Sequence, residues 1–468
     1  MQRTTAGALM TTALFLAGCG GAGTFAPHSA NQLAPASVGR HYNSVADGVA
    51  AGALKAVCGP VGPGRARCTA YIVVQDGAAT AAQSAQRSVS SHASPPAGFG
   101  PADLQSAYGL ASAAKSKGSN ALIAVVDAYD TPQAERDLAV YRDKYGLPPC
   151  TTANHCFRKV NQNGKTGPLP PAPPPGFEGW QLETALDLEM VSANCPKCNV
   201  LLVESNDDFM NNLGPAVNAA ATFEPAAISN SYVSQESPTD TGPVADGGLL
   251  AYYVHPNVAV VAGNGDFSYM TTPLWDGSEW IVPGALIPAA FPSVVAVGGT
   301  ELSQDRSAAR GWTETVWGAT GSGCSAFEPM PPWQRAEPNC VGSFSDGHGH
   351  TWTFPSRVYG DVAYAADNVA EYDSSGVYGP PGWHVLAGTS IGSPAIAAIY
   401  GLVGYGPDGK DNSDEGSFPA QKLYASRRSL FDVTSGFNGT CPAAYLCNAG
   451  PGYDGPSGNG SPNGLGAF

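Results

Sequence analysis

Charge is scarce in this chain, and basic charge scarcer still. Asp, Glu, Lys and Arg make up 13% of its 468 residues, with 38 acidic side chains against 23 basic ones. A nucleic-acid-binding protein carries a basic stripe that neutralises phosphates; none is present, and that class is excluded. The net charge of −15 and pI of about 4.8 suit a surface that loses self-repulsion as its carboxylates take up protons at low pH. Beyond the N-terminus no apolar run reaches the roughly eighteen residues that a membrane-spanning helix needs. No internal repeat is visible. Glycine (58) and proline (40) are abundant instead, and 43% of the residues are hydrophobic. That mixture fits a loop-rich extracellular protein with a substantial core, and neither a coiled coil nor a disordered chain.

The N-terminus reads as a targeting segment. Arg3 supplies a short basic region, and Ala6 to Leu16 form an apolar stretch too short to span a bilayer. Leu16-Ala17-Gly18-Cys19 resembles a bacterial lipobox, which implies a signal peptide over 1–18, cleavage before Cys19 and lipidation of its sulfur. An ordinary secretory signal is the alternative, and both predict export. Gly20 after Cys19 favours the outer membrane, with the membrane touched only through the lipid. Of eleven cysteines, ten remain once Cys19 is set aside, and they fall into five close pairs: Cys58/Cys68, Cys150/Cys156, Cys195/Cys198, Cys324/Cys340 and Cys441/Cys447. Local disulfides are the simplest framework in an oxidising compartment, although spacing alone does not determine connectivity. Cys195-Pro-Lys-Cys198 also has the spacing of a redox dithiol or half a zinc site; with no second such motif or histidine pair nearby, a structural disulfide is favoured.

Composition divides the rest into a tether and short leader over 19–94 and a main domain over 95–468. In the main domain, continuous apolar runs such as Ala121–Val126, Val200–Val203, Ala226–Ile228, Val258–Ala262 and Val294–Val297 read as strands buried on both faces. A helical pattern at Leu182–Val191, with Leu182, Leu186 and Met190 on one face, lies between the first two. The alternation predicts an α/β fold with a central, mostly parallel sheet flanked by helices. The proline-rich stretch 168–175 reads as a surface loop.

Three places carry chemistry. Ala387-Gly-Thr-Ser-Ile-Gly-Ser-Pro394 leads into an apolar helix, placing Ser390 at the positive end of the helix dipole with Pro394 in the first turns, where it is tolerated. Taken alone, Ser390 could equally be an N-cap. Glu183 and Asp187 are four apart, so their carboxylates share one helix face; they are either a solvated acidic face or a proton-sharing pair. Such a pair can supply the base that a serine nucleophile needs. Asp266 ends the strand-like Val261-Ala-Gly-Asn-Gly-Asp266 and could be a plain turn residue. None of the histidines (28, 41, 92, 155, 255, 348, 350, 384) sits in a setting suited to a serine's partner. His348-Gly-His350 reads as a glycine-rich loop in preference to a metal site.

Together these motifs resemble the sedolisin, or serine-carboxyl peptidase, family. Glu183-Thr-Ala-Leu-Asp187 matches its Glu-xxx-Asp helix, Gly388-Thr-Ser390 with Pro394 its GTSxxxP nucleophile motif, and Asn264-Gly-Asp266 its Ser-Gly-Asp segment. Phe291–Thr300, Glu314–Trp317 and Tyr108 resemble further family segments, so the likeness runs over about 95–468. The resemblance implies a subtilisin-like three-layer fold and a serine-type endopeptidase best at acidic pH. Ser390 is then the nucleophile, Glu183 the base, Asp187 its support and Asp266, protonated, the oxyanion donor. It also implies one structural Ca2+ near the C-terminus, held by the side chains of Asp432 and Asp454 and the carbonyls of Val433, Gly450 and Gly452, a hard-oxygen set. A monomer acting on peptide or protein substrates is expected, with no nucleic-acid partner. Asp127 stands where some members carry a supporting acid.

The chain also departs from the pattern. About seventy-five residues separate Cys19 from the main domain, where members usually carry a large segment that assists folding and blocks the site. Asn264 replaces the usual serine, and Gly321-Ser-Gly-Cys-Ser325 replaces a purer glycine run near the family's substrate cleft. These departures motivate a second reading, a lipid-anchored inactive homologue that binds peptides or envelope components.

Overall fold

The computed structural model describes residues 45–74, 96–240, 247–269, 285–335, 337, 340–345, 351–406 and 418–468. The expected signal peptide with Cys19, the expected tether, and His28, His41, His92, His348 and His350 lie outside them. Three short strands come first: β1 (Leu54–Ala56), β2 (Arg67–Cys68) and β3 (Tyr71–Val73). The strands that follow are β4 (Leu122–Ala128), β5 (Phe157–Asn161), β6 (Asn199–Ser205), β7 (Ala227–Asn230), β8 (Tyr232–Gln235) and β9 (Ala259–Gly263). Further along are β10 (Val295–Gln304), β11 (Trp312–Val316), β12 (Val362–Ala365), β13 (Val369–Asp373) and β14 (Gly382–Ala387).

The central sheet has the order β11-β10-β9-β7-β4-β6-β5, with β12 also paired to β10. Every neighbouring pair in it is parallel except β10 with β11. Each predicted apolar run is one of its strands. Successive strand side chains point to opposite faces, yet all of Ile123–Ala128, Ala227–Asn230 and Ala259–Gly263 are buried. Both faces are therefore covered, which gives the expected three-layer α/β architecture. The covering helices include α1 (Ala134–Lys144), α2 (Gly179–Asn194), α3 (Met210–Ala221) and α4 (Gly392–Val403). α2 packs against α1, α4 and β4, α4 against β7 and β9, and α3 against β4 and β6.

Of the two alternatives for the acidic helix face, the solvated one is ruled out: in α2 every residue but Gln181 is buried. A helix apolar on nearly all sides is a core element, and here it carries Glu183, Asp187 and Glu189 into the interior. The five predicted disulfides are all formed, Cys58–Cys68, Cys150–Cys156, Cys195–Cys198, Cys324–Cys340 and Cys441–Cys447. Residues 168–175 form no regular element. No helix among the described residues is long and apolar enough to cross a membrane.

Candidate active site

Parallel strands deliver their carboxyl ends to one edge of the sheet, where ligands bind in such folds. Asp127 lies near the end of β4, and β9 ends at Gly263, three residues before Asp266. Between them comes the turn that carries Ser390. β14 stops at Ala387, and Gly388 takes φ +145°, a conformation that a residue with Cβ rarely adopts. A single 3-10 turn over Thr389–Ile391 then feeds α4, leaving the Ser390 amide at the positive end of the helix. Ser393, one turn on, bonds Ser229 Oγ at 2.9 Å and so ties α4 to β7.

Asp266 is fully buried, and one of its oxygens accepts both the Thr389 amide and the Thr389 hydroxyl at 2.8 Å. Its other oxygen, Oδ2, has no hydrogen-bond partner among the described residues. Burial pushes this carboxyl up to about 7, with the Thr389 contacts and Arg67 pulling the other way. Below that pH it is an acid with one proton to donate.

Glu183 and Asp187 project from one face of α2 toward the same region. Burial raises both well above the ordinary carboxylate range. For Glu183 the neighbouring Ser390 hydroxyl opposes the rise, while Asp127 and Asp266 add to it. For Asp187 the charges of Asp127 and Glu183 add to the rise, and Ser231 opposes it. Asp127 is likewise raised by burial, to about 7, against Thr184. Among the described residues, no oxygen of these three carboxyls closes a hydrogen bond of ordinary length, although Ser390 stands beside Glu183. The hydroxyl's hydrogen-bond partner is Thr69 Oγ1, at 2.9 Å. Close acids without a cation share protons, so the group titrates as a unit.

Every predicted catalytic residue, Ser390, Glu183, Asp187 and Asp266, is thus in one buried cluster, with Asp127 beside it. The other motifs meet elsewhere. Tyr108 donates to Glu314 at 2.8 Å and accepts the Ala365 amide at 2.7 Å, while Thr300 donates to Glu314 at 2.5 Å. The altered glycine segment lies against the Asp266 loop: Gly321 N–H donates to Gly265 O at 2.7 Å. His255 meets Tyr252 O at 2.9 Å, His384 pairs within β14 opposite Glu371, and His155 is exposed. Sequence reasoning missed Thr69 and Ser231, whose hydroxyl donates to Ser390 O at 3.4 Å. The Ser-Asn-Ser run at the end of β7 was the one available signal. It also missed a second buried acid pair, Glu189 and Glu371, each raised by burial and by the other's charge or by neighbouring acids.

Near the C-terminus, Asp432 and Asp454 converge. Gly452 N–H donates to Asp432 at 3.0 Å and Gly450 N–H to Asp454 at 3.1 Å, so the loop wraps both carboxylates. Asp454 is raised to about 7 by burial first, with Asp432 adding to it. Two converging carboxylates are hard oxygen donors of the kind a divalent cation takes. Among the described residues no group of three or more His, Cys, Asp or Glu is placed to hold a metal, so backbone carbonyls would have to complete this one.

Fold and site together define an α/β protein of the subtilisin-like class, with acids around the serine. No model of a protein family matches the chain. It is similar to kumamolisin of Bacillus sp. strain MN-32, 29% identical over 392 residues, covering 80% of this chain and 64% of the relative. It also resembles sedolisin of Pseudomonas sp. strain 101, 31% identical over 200 residues, covering 40% of this chain and 30% of the relative. Among solved structures, Pseudomonas sedolisin (serine-carboxyl proteinase) complexed with two molecules of pseudo-iodotyrostatin superposes with a TM-score of 0.58. That match is 23% identical and covers 79% of this chain and 96% of the other. The chain is thus similar to members of the sedolisin family. It spans less than two thirds of the length of the two relatives above.

Proposed function

We propose that this chain is a serine-carboxyl endopeptidase that cleaves peptide bonds best at acidic pH. The observation that carries the reading is the position of Ser390, at a helix N-terminus between the buried acids Glu183 and Asp266. In the proposed reaction Ser390 Oγ attacks the peptide carbonyl while Glu183 takes its proton and Asp187 supports Glu183. Asp266 donates its proton-bearing oxygen to the oxyanion, beside the Ser390 amide. Glu183 then returns the proton to the leaving nitrogen, and water resolves the acyl-enzyme.

The pH dependence follows from the same groups. Asp266 must keep its proton, so activity falls as pH rises through about 7. The Asp127–Glu183–Asp187 cluster must have lost a proton, so activity also falls as pH drops through the first ionisation of that cluster, giving a bell. A histidine base would fail where this one works.

The remaining assignments belong to the same proposal. Residues 95–468 form the peptidase domain, preceded by a leader and by a lipid-anchored or secreted N-terminus; five disulfides suit an oxidising compartment. One structural Ca2+ is held by Asp432 and Asp454 with the carbonyls of Val433, Gly450 and Gly452, pinning the C-terminal loop. The protein acts as a monomer on peptide or protein substrates.

The test is hydrolysis of a denatured protein by the full chain from acid to neutral pH. Cleavage with an acidic optimum is expected, abolished in Ser390→Ala and reduced on the order of a thousandfold in Glu183→Gln. A neutral optimum with Glu183→Gln unimpaired refutes the carboxylate base.

A further inference from the structure

We propose that Asp208, Tyr129, Phe177 and Phe209 form a subsite that reads an arginine of the substrate, four residues ahead of the residue whose carbonyl meets the Ser390 amide. The proposal rests on the peptidase reading above and adds to it a sequence preference.

A guanidinium already stands in this place and shows what the place accepts. Arg65 pairs with Asp208 Oδ1 at 2.5 Å and donates to the Tyr129 hydroxyl at 3.0 Å. Its guanidinium carbon lies 4.6 Å from the centre of the Phe177 ring and 4.2 Å from that of Phe209. Two aromatic rings and a carboxylate around one flat cation make a setting that suits arginine. A lysine ammonium can reach the carboxylate as a point charge, but it has no plane to stack on the rings. The site therefore separates two side chains of the same charge.

The walls belong to the main domain. Tyr129 directly follows β4, Asp208 and Phe209 lie just past β6, and Phe177 stands shortly before α2. The first three are thus at the carboxyl ends of parallel strands, the edge that also carries Asp127 of the acid cluster. Asp208 has no exposure to solvent, and the Tyr129 hydroxyl donates to its Oδ1 at 3.0 Å. Tyr129 takes φ +68°, a costly backbone conformation for a residue with Cβ and one that persists where the surroundings impose a side-chain position. Phe209 keeps a large apolar side chain 37% exposed at the surface.

The pairing with Arg65 is incomplete. Asp208 Oδ2 and Arg65 Nε are both buried, and neither has a hydrogen-bond partner among the described residues. A carboxylate and a guanidinium can close two parallel hydrogen bonds. Arg65 lies within the loop that the Cys58–Cys68 disulfide closes, which restricts its backbone. An arginine on an untethered peptide is free of that restriction and can engage both oxygens of Asp208.

The register comes from the backbone. Arg65 is bridged antiparallel to Phe209, Ala66 N–H donates to Asp208 O at 2.6 Å, and Met210 N–H donates to Gly64 O at 2.9 Å. Arg67 and Cys68 pair antiparallel with Val233 and Tyr232 of β8. The Ser390 amide then donates to Thr69 O at 3.3 Å. Extended peptides are recognised by adding along such edges. A substrate that follows the same two edges and offers its carbonyl to Ser390 brings the side chain four residues earlier to Asp208.

The experiment gives the full chain, at acid pH, three quenched-fluorescent peptides that differ only at that position, where they carry Arg, Lys or Ala. The value of kcat/KM should be on the order of tenfold higher for Arg than for Ala, as expected of one hydrogen bond between charged groups, with Lys between them. In Asp208→Asn the ratio of Arg to Ala should fall toward one. Equal kcat/KM for the three peptides in wild type overturns the proposal and leaves the peptidase reading intact. Absence of hydrolysis of all three counts instead against that reading, and the pocket is then decided without catalysis. Arg65→Ala empties it in the full chain. At neutral pH, ethylguanidinium should raise the Tm of this variant by about 2 °C over ethylammonium at the same concentration. Adding Asp208→Asn should remove the difference. Equal Tm of Arg65→Ala in the two salts overturns the subsite.

Discussion

Replacing the Asp266 carboxyl by the amide of asparagine should make the protein more stable at neutral pH and leave it unchanged at acid pH. In the folded chain burial raises this carboxyl from 3.8 to about 7. The folded state therefore binds a proton that the unfolded state has lost between those values. The sign follows directly: the proton's stabilising contribution is complete below about pH 4 and is lost as pH rises to about 7. A rise of roughly three pH units at 1.36 kcal/mol each corresponds to about 4 kcal/mol, surrendered between acid and neutral pH. The introduced amide oxygen would still accept the two Thr389 hydrogen bonds, and the side chain would no longer titrate. Urea unfolding of both proteins at pH 4 and pH 7 isolates the effect. The variant should match wild type at the lower pH and exceed it by up to about 4 kcal/mol at the higher. If the difference between the two proteins is the same at both pH values, Asp266 is not held protonated by burial, and its role as an oxyanion donor loses its basis.

Three further outcomes follow from the packing. Gly388→Ala places a methyl 2.2 Å from Thr69 O at a φ of +145°; it should abolish peptide hydrolysis and lower Tm, as judged by a rate assay and calorimetry. Asp361→Ala leaves the fully buried Arg357 guanidinium without its 2.7 Å partner, which should cost about 3–5 kcal/mol in denaturant unfolding. Chelation of divalent cations should lower Tm in wild type and have no effect in Asp432→Ala with Asp454→Ala; equal loss in both would remove calcium from the C-terminal loop.

Much of the architecture was legible because local pattern and tertiary role coincide. A strand covered on both faces needs an unbroken apolar run, and Ala121–Val126 and Val258–Ala262 are such runs. Local pairing of the close cysteines was the simplest framework the spacing offered, and the structure forms it. The catalytic candidates were legible for another reason: Glu183-xxx-Asp187 and Gly388-Thr-Ser390 are fixed by spacing along one helix and one turn, and spacing survives in a sequence.

Burial and long-range juxtaposition were not legible. Nothing local distinguishes Glu183 and Asp187 on a wet helix face from the same pair in a core; the difference comes from α1, α4 and β4 packing around α2. The raised carboxyls follow from that desolvation, which is a property of the surroundings and not of the motif. Thr69 shows the limit most clearly. It lies 321 residues before Ser390, in a segment that reads only as a leader with some strand character, yet its hydroxyl is 2.9 Å from the nucleophile. Sequence alone determined the element types and the residues able to do acid–base and nucleophilic chemistry, because each depends on neighbours a few positions away. Tertiary structure alone decided which acids are desolvated and which backbone lies against Ser390, because both depend on strands pairing across hundreds of residues.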